Sequence, residues 1–576
     1  MKAIDFRNTN SVWSSVIAET LSRLGVKTVV ICPGSRSTPL TFAFVRHPQL
    51  ETIPILDERS AAFFALGIAK RTHTPAAIVC TSGTAAANFY PAVIEAKESR
   101  IPLLVFTADR PPELRECHSG QAIDQVKIYG DYPNGYAELS TPSLDLQQLS
   151  YLRQTIVHAE RRSQQPTPGV FHLNCPFGDP LPPLPEAEAE ALEAVFPDGF
   201  FDGICGNIEL DVRVDLDPLV AKWQQCDRGL IIAGVANPKN PKLYCNAIAQ
   251  LAKRLNFPVL AEGLSPVRNY ASLNPYLVST YDIILRHRKG NVNLAPDLVI
   301  QIGDLPTSKE LRQWLTAVRP QHWILDPSHH NLDPLHGRTT HLNVAIETIA
   351  FSLPLQKGGM SQYRDRWLQL EAATRQKIDG DFANIETIIE PKVSWLLSQL
   401  LPPGTPIFIA NSMPVRDVEW FWKPNDLRIL PFFNRGANGI DGTLSTALGV
   451  ANGNRPSVLL TGDLGFLHDT NGFLVAKNAN VSLTIVLINN NGGGIFEMLP
   501  VSQFDPPFED FFATPQSVDF AKLCAAYDVE YCRISSWDKL QQRLDPLPDR
   551  GLQVLEIQTD RKFDAQWRRN YWQQLS

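Results

Sequence analysis

The chain has 576 residues, 44% of them hydrophobic and 20% charged, with a formal net charge of −7, enough for about three or four domains of roughly 150 residues. The composition is that of an ordinary globular protein, and the acidic balance argues against a general nucleic-acid or membrane-surface binder. No uninterrupted apolar run is long enough to span a bilayer.

From the N-terminus, residues 1–10 are polar and mixed in charge, without a signal-peptide core. Residues 28–32 predict a short apolar strand, followed by the loop Pro33-Gly34-Ser35-Arg36-Ser37-Thr38-Pro39. A second strand is predicted over 52–56 and an amphipathic helix over 57–71. Residues 76–81 predict a strand leading into Ser82-Gly83-Thr84 and an alanine-rich helix to about Lys97. Residues 102–107 predict another strand, ending at Ala108-Asp109-Arg110-Pro111-Pro112. Strand and helix in alternation predict a parallel sheet covered by helices on both faces. Residues 176–200, rich in proline, glutamate and alanine, read as a linker with a short helix. A second α/β domain follows, with strands over 230–235, 259–261, 298–302 and 323–325. Residues 354–362 read as a second linker, and 363–378 as a helix. The third α/β domain has strands over 407–410, 429–433, 457–461, 483–488 and 552–557. The predicted domains are 1–185, 200–355 and 363–576, each a doubly wound α/β parallel sheet.

Gly83-Thr84-Ala85-Ala86-Ala87 and Gly442-Thr443-Leu444-Ser445-Thr446-Ala447 both stand between a strand-loop and a helix. Either an ancient duplication or the ordinary look of α/β chains accounts for this. Nine cysteines are scattered without a C-x-x-C pair, which predicts buried, reduced thiols in a cytoplasmic protein and no zinc site. His329, His330 and His336 lack partnered cysteines and read as loop residues. The chain has no G-x-G-x-x-G, Walker A or G-x-S-x-G motif.

The chemistry concentrates in Asp463 and Asn490, each closing a strand-like apolar run and lying 27 residues apart. That is about one strand–helix–strand crossover, which returns the chain to the neighbouring position in a parallel sheet. An acidic and an amide oxygen then meet at the carboxyl ends of adjacent strands, where open α/β sheets bind ligands. With the backbone carbonyl of Gly492 they offer three oxygens to Mg²⁺, a hard cation that takes its remaining ligands from phosphate and water. The glycines at 492–494 let backbone approach a diphosphate. The alternative is a pair of ordinary Gly-Asp and Asn-Gly turns.

Gly462-Asp463-Leu464 with Asn489-Asn490 resembles the thiamine-diphosphate motif, Gly-Asp-Gly followed after a crossover by Asn-Asn, although Leu464 replaces its third glycine. The resemblance implies thiamine diphosphate with Mg²⁺ (or Mn²⁺) as cofactors. It also implies cofactor contacts at Gly462, Asp463, Leu464, Gly465, Asn490 and Gly492, and metal ligation by Asp463, Asn490 and Gly492. Such enzymes need a carboxyl group at the aminopyrimidine ring, working best where burial restrains its ionisation. Glu58, after the 52–56 strand and at the start of an apolar helix, is the candidate. A solvent-exposed glutamate favoured by the helix dipole is the alternative. The order of domains resembles the pyruvate-oxidase-like group: pyrimidine, middle and diphosphate domains. That group implies a homodimer or dimer of dimers with the active site at the subunit interface.

Five further segments are similar to the 2-succinyl-5-enolpyruvyl-6-hydroxy-3-cyclohexene-1-carboxylate synthase family. They are Pro33 to Pro39, Asp57-Glu58-Arg59, Thr107 to Leu114, Asn411-Ser412-Met413-Pro414-Val415-Arg416, and Asn434-Arg435-Gly436-Ala437-Asn438-Gly439-Ile440-Asp441-Gly442. Arg36, Arg110, Arg416 and Arg435 all fall in predicted strand-terminal loops, and arginine's planar fork grips carboxylates in pairs. The alternative is structural ion pairs. The family's substrates, 2-oxoglutarate and isochorismate, are both dicarboxylates. The resemblance implies substrate contacts at Ser35, Arg36, Arg110, Gln121, Lys309, Ser412, Arg416 and Arg435, and an apolar wall at Ile495 and Phe496. Ile440 is implied to prop the cofactor in its bent form. The family's middle domain carries a Lys-Arg pair; here Lys309 is followed by Glu310, so one carboxylate contact is expected to be weaker or supplied elsewhere. The implied reaction decarboxylates 2-oxoglutarate and adds the succinyl fragment to isochorismate, in menaquinone or phylloquinone biosynthesis. The rivals are another thiamine-diphosphate keto-acid decarboxylase, an acetolactate-synthase-like carboligase, and a catalytically dead scaffold subunit.

Overall fold

Short apolar runs become strands buried on both faces, as a helix-covered parallel sheet requires. The computed structural model describes residues 4–206, 213–287, 294–350, 361–477 and 479–575. Its strands form three six-stranded sheets. The first holds β1 (Thr28–Ile31), β2 (Glu51–Pro54), β3 (Ala76–Cys80), β4 (Leu103–Asp109), β5 (Gly135–Glu138) and β6 (Val170–Pro176), in the order β2-β1-β3-β4-β6-β5. A small strand β7 (Val214–Asp215) precedes the second sheet. That sheet holds β8 (Gly229–Ala233), β9 (Val259–Ala261), β10 (Leu277–Val278), β11 (Leu298–Ile302), β12 (Gln321–Leu325) and β13 (Arg338–Leu342), in the order β10-β9-β8-β11-β12-β13. β14 (Ile349–Ala350) pairs with β7. The third sheet holds β15 (Pro406–Ile409), β16 (Leu430–Phe432), β17 (Ser457–Gly462), β18 (Ser482–Asn489), β19 (Glu530–Ile534) and β20 (Gly551–Gln558), in the order β16-β15-β17-β18-β20-β19.

The first and third sheets therefore run in the same relative order, while the middle one follows a different path. This shared topology favours the duplication reading of the Gly83 and Gly442 segments. Both glycines precede a helix with φ positive, at 89° and 63°.

The chain divides into two compact units. One comprises Met1–Glu209, Asn434–Arg455 and His468–Ser482; the other comprises Leu210–Phe433, Pro456–Leu467 and Leu483–Ser576. In the first unit a core of residues such as Trp13, Phe44, Phe106 and Leu173 packs against one face of the first sheet. The Glu58–Thr72 helix starts sharply, because the Asp57 carboxylate accepts the Ser60 amide at 2.9 Å. Within the same unit this helix crosses the Thr443–Val450 helix at a pair of glycines. A Cβ at Gly67 would stand 2.1 Å from the Thr446 carbonyl oxygen and 2.9 Å from Gly449 Cα. In the second unit, separate clusters cover the middle sheet (Ile231, Ile300, Trp323) and the third sheet (Ile407, Leu460, Val486).

The structure departs from the expectations in several places, and strands β5, β6, β7, β10, β13, β14 and β19 have no counterpart among the expected ones. The alanine-rich helix breaks at Phe89 into Thr84–Asn88 and Tyr90–Glu98, because Pro91 cannot continue the first helix. Residues 176–200 are not a free linker. The Ala187–Glu193 helix is present, but the segment is tied to the N-terminal helix: Asn10 Nδ2 donates to the Gly178 and Pro180 carbonyls, each at 2.9 Å, and Phe200 is buried. The crossover between β17 and β18 uses two short helices, Asp463–Leu467 and Gly472–Val475, rather than one. The predicted linker at 354–362 falls almost wholly outside the described residues. All nine cysteines are free; six are buried, Cys226 is half-buried, and Cys117 and Cys205 are exposed, against the expectation of burial throughout. Among the described residues, no helix is long and apolar enough to cross a membrane.

Candidate functional site

β17 and β18 are adjacent and parallel, with Gly462 in register with Ile488. Asp463 and Asn490 therefore emerge side by side from neighbouring carboxyl ends. Asp463 is buried, and its two oxygens accept the Leu464 amide at 2.7 Å and the Gly492 amide at 2.8 Å. Burial pushes its carboxyl up to about 6, against the pull of these amides. Glu390 adds to the rise. The two asparagines have different jobs. Asn489 Nδ2 donates to Glu556 at 2.6 Å. Asn490 is buried, and its Oδ1 has no hydrogen-bond partner among the described residues. A buried amide oxygen left unpaired costs stability unless a ligand uses it.

The surrounding backbone is shaped to leave room. Gly492 has φ +135°, which side-chain-bearing residues rarely adopt, and a Cβ at Gly494 would lie 2.7 Å from Asn490 Nδ2. A Cβ at Gly462 would meet nothing within 4 Å. The Gly492 carbonyl accepts the Gly494 amide at 2.9 Å and keeps a second lone pair. A buried carboxylate, an unpaired amide oxygen and a close-approach glycine turn fit a hard cation carrying a diphosphate. Leu464 and Gly465 continue from Asp463 into the first short helix. Ile495 and Phe496 lie on the following turn, Gly494–Glu497, both half-buried, and Phe496 packs edge-on against Phe512 at 5.9 Å. Ile495 also packs against the buried cluster around Met413 and Trp420.

Elsewhere in this second unit, Ser412 takes φ 73° at the start of the Met413–Phe421 helix. Its carbonyl accepts Arg416 Nη1 at 2.6 Å. Arg416 thus stands in the first turn of a helix, not in a strand-terminal loop as expected; the Met413-Pro414 pair is a good helix start. Lys309 is exposed at the beginning of the Lys309–Val318 helix. Glu310, in the position of the family's arginine, is buried with Oε1 3.2 Å from Arg286 Nη1. The guanidinium at this place therefore comes from residue 286, which also lies over the Trp572 ring at 4.0 Å.

The first unit holds a second convergence, at the carboxyl ends of β1, β3 and β4. Arg36 is buried, with Nη1 donating to the Phe177 carbonyl at 2.8 Å and Nε unpaired. Its nearest ion-pair partner is Asp179 at 3.8 Å, a largely exposed side chain. Arg110 donates to Ser82 Oγ at 2.8 Å and to the Gly120 carbonyl at 2.5 Å. Burial, and next the neighbouring Arg110 cation, hold the Arg36 guanidinium below its ordinary value. Two guanidinium groups set together and bonded mainly to neutral oxygens keep charge that could hold an anion. Gln121 is exposed and reaches the same point, donating to the Ser82 carbonyl at 3.0 Å. Ser35 is exposed in the same loop as Arg36.

Glu58 opens its helix half-buried, just past β2. Burial, and next the Glu58 carboxylate, hold the buried Cys32 thiol far above its ordinary value. Glu58 follows β2, the neighbour of β1, at the same carboxyl edge of the sheet. An apolar groove of about 390 Å³, lined by Pro33, Phe42, Ile55 and Leu56, opens two residues ahead of it.

Arg435 does not join this edge within the unit. The Gly436 and Ala437 amides donate to Glu95, and a Cβ at Gly436 would stand 2.7 Å from the Ser99 amide. Those residues end the Tyr90–Glu98 helix, which delivers the chain to the start of β4, whereas Arg36 and Arg110 lie at strand ends. Of the three expected arginines in this unit, Arg36 and Arg110 lie at strand ends, while the residues after Arg435 bond to the helix that precedes β4. Ile440 is half-buried, not core, and its carbonyl accepts Thr443 Oγ1 at 2.7 Å.

The sequence reading gave no role to Ser82, on which Arg110 and Gln121 converge, or to Arg561, whose Nη1 donates to the Asn491 carbonyl at 2.7 Å. Each follows a strand end, so the strand-end rule that found Asp463 also marks these two positions.

Three family models match the chain in sequence order: an N-terminal thiamine pyrophosphate binding domain at residues 13–128, a middle domain of thiamine pyrophosphate enzymes at 213–409, and a C-terminal thiamine pyrophosphate binding domain at 423–557. Curated relatives match over nearly the full length. A protein of Nostoc sp. (strain PCC 7120) is 60% identical over 98% of both chains. One of Trichodesmium erythraeum is 59% identical over 98% of both. One of Rippkaea orientalis is 56% identical over 100% of this chain and 98% of its own. All three carry the name 2-succinyl-5-enolpyruvyl-6-hydroxy-3-cyclohexene-1-carboxylate synthase.

Proposed function

The chain belongs to the 2-succinyl-5-enolpyruvyl-6-hydroxy-3-cyclohexene-1-carboxylate synthase family, and on that premise we propose how its own residues carry the reaction. The enzyme is a thiamine-diphosphate-dependent transferase. It decarboxylates 2-oxoglutarate and joins the succinyl fragment to isochorismate, on the route to menaquinone or phylloquinone. Bound thiamine diphosphate supplies a nucleophilic carbon and an electron sink.

Asp463, Asn490 and the Gly492 carbonyl would hold Mg²⁺ (or Mn²⁺), with Gly462, Leu464 and Gly465 beside the diphosphate. The single observation that carries this reading is the buried, unpaired Asn490 Oδ1 beside Asp463. Glu58 would hold a proton on the aminopyrimidine ring nitrogen, with the apolar groove beside it taking the ring. Ile440 would support the cofactor from below, and Ile495 and Phe496 would keep water from the reacting carbon. Arg36 and Arg110, with Ser35 and Gln121, would grip one dicarboxylate. Arg416, Arg435, Lys309 and Ser412 would serve the other charges and screen the repulsion between the substrates.

The site is assigned to a subunit interface in a homodimer or dimer of dimers. The separation of Arg435 from Arg36 and Arg110 within one unit supports this, since a second copy must then complete the arginine set. The pyrimidine, central and diphosphate domains are assigned to 1–185, 200–355 and 363–576. The matched spans support that order, although the middle model runs on to residue 409. Nine free thiols accord with a cytoplasmic setting.

The test is an assay with 2-oxoglutarate, isochorismate, thiamine diphosphate and Mg²⁺. Carbon dioxide release from 2-oxoglutarate together with the coupled product supports the reading; preference for pyruvate overturns it. Glu58→Gln should lower turnover by about 100-fold or more with circular dichroism unchanged, and undiminished turnover would remove Glu58 from its role.

A further inference from the structure

A single guanidinium ties together the parts of the loop after β18. Arg561 is the first residue of the last helix, Arg561–Gln574, and is buried. A cation at a helix N-terminus opposes the helix dipole, so the helix itself gives no reason for it. Its three nitrogens each find an oxygen in the segment after β18. Nη1 donates to the Asn491 carbonyl at 2.7 Å. Nε donates to Glu497 Oε1 at 3.1 Å. Nη2 pairs with Glu509.

These partners are the loop's fixed points. Asn491 stands between Asn490 and Gly492. The Asn491 carbonyl and the Gly492 amide belong to one planar peptide, so holding the carbonyl also aims the amide, which meets Asp463 at 2.8 Å. Glu497 closes the turn that carries Ile495 and Phe496. Glu509 begins the Glu509–Ala513 turn, whose Ala513 carbonyl accepts the Gly493 amide at 2.7 Å. The guanidinium's planar fork serves three directions at once, which a lysine ammonium on a flexible stem does not reproduce.

We propose that Arg561 is a positioning residue for the diphosphate end of the site: it fixes the Asn491–Gly492 peptide, and with it the aim of the Gly492 carbonyl and the seat of the Ile495–Phe496 wall. This rests on the reading of Asp463, Asn490 and Gly492 as metal ligands. In this role Arg561 acts through the Asn491 carbonyl, Glu497 and Glu509.

The experiment uses purified full-length protein stripped of cofactor. Calorimetric titration with Mg²⁺ and thiamine diphosphate is run on wild type, Arg561→Lys, Arg561→Gln and Asp463→Asn. Hydrogen exchange is followed at the amides of residues 492–494 without cofactor. Both Arg561 variants should weaken cofactor binding by about tenfold or more, the range for partners that orient metal ligands. They should speed exchange at 492–494 and leave the KM for 2-oxoglutarate within about twofold when cofactor saturates. If Arg561→Gln fails to fold, Arg561→Lys carries the same readouts. Wild-type cofactor affinity and exchange in a folded Arg561 variant, with Asp463→Asn defective, overturns the proposal alone. Wild-type affinity in Asp463→Asn overturns the metal reading and the proposal with it.

Discussion

Asn490 and Asp463 are poised in opposite senses. Asn490 Oδ1 has no partner to lose, so Asn490→Ala should change cofactor-free stability by no more than about 1 kcal/mol. The same change should weaken cofactor binding by about tenfold or more. Urea denaturation and calorimetry read the two effects, and a large stability loss with normal binding would make Asn490 a structural residue. Asp463 gives a pH dependence. Burial raises its carboxyl to about 6, above the unfolded value of about 3.9. Between those values the folded chain holds a proton the unfolded chain has released, so cofactor-free stability falls as pH rises through that window. A divalent cation competes with that proton. Mg²⁺ affinity should therefore climb as pH rises towards and through about 6 and level off above it. A flat profile between about pH 5 and 7 in wild type would remove Asp463 from the ligand set.

At the scale of elements, the crossing of Glu58–Thr72 with Thr443–Val450 is set by two facing glycines. Alanine is favoured over glycine inside a helix by about 1 kcal/mol. At Gly67, however, its Cβ would meet the Thr446 carbonyl at 2.1 Å, and overpacking costs about 1–3 kcal/mol. The sign is decided by the contact: Gly67→Ala should destabilise, read as a lower denaturation midpoint. A neutral or stabilising result would mean the helices separate freely. The last helix works similarly by position. Arg561 at its start holds the loop after β18, and Arg568, seven residues on, is fully buried between Asp417 at 2.5 Å and Glu390 at 2.9 Å. One helix thus braces the loop after β18 and pairs with two buried carboxylates, of which Glu390 also raises the Asp463 carboxyl.

At the scale of the whole molecule, the assignment of the site to two subunits has a direct consequence. Glu58→Gln and Asp463→Asn should each be inactive alone. Mixed by co-expression, half of randomly paired dimers combine the two variants, and each of those has one intact site. Activity should recover to about a quarter of wild type. Failure to recover in dimers shown by mass spectrometry to be mixed would place Glu58 and Asp463 of one chain in the same site.

The sequence by itself determined the α/β class, most of the inner strands and the Asp463–Asn490 pair; the inner strand β6, buried along its whole length between β4 and β5, escaped it. Inner parallel strands are buried on both faces and so appear as short apolar runs: β9 and β11 fall on the expected residues, and β17 differs only by Gly462. Edge strands were legible only in part: β2 and β16 overlap the runs expected at 52–56 and 429–433, whereas β5, β10, β13 and β19 have no counterpart in the sequence reading. β5, β13 and β19 are polar or half-exposed, with sequences such as Arg338-Thr339-Thr340-His341-Leu342, and they are strands because a neighbour offers an open hydrogen-bonding edge. Only tertiary structure decided that Asn490 rather than Asn489 is left unpaired, that Glu310 is matched by Arg286, that Arg435 lies away from Arg36 and Arg110, and that Arg561 grips the loop 70 residues before it. Those facts depend on which distant backbone a side chain meets, and local pattern carries no record of such meetings.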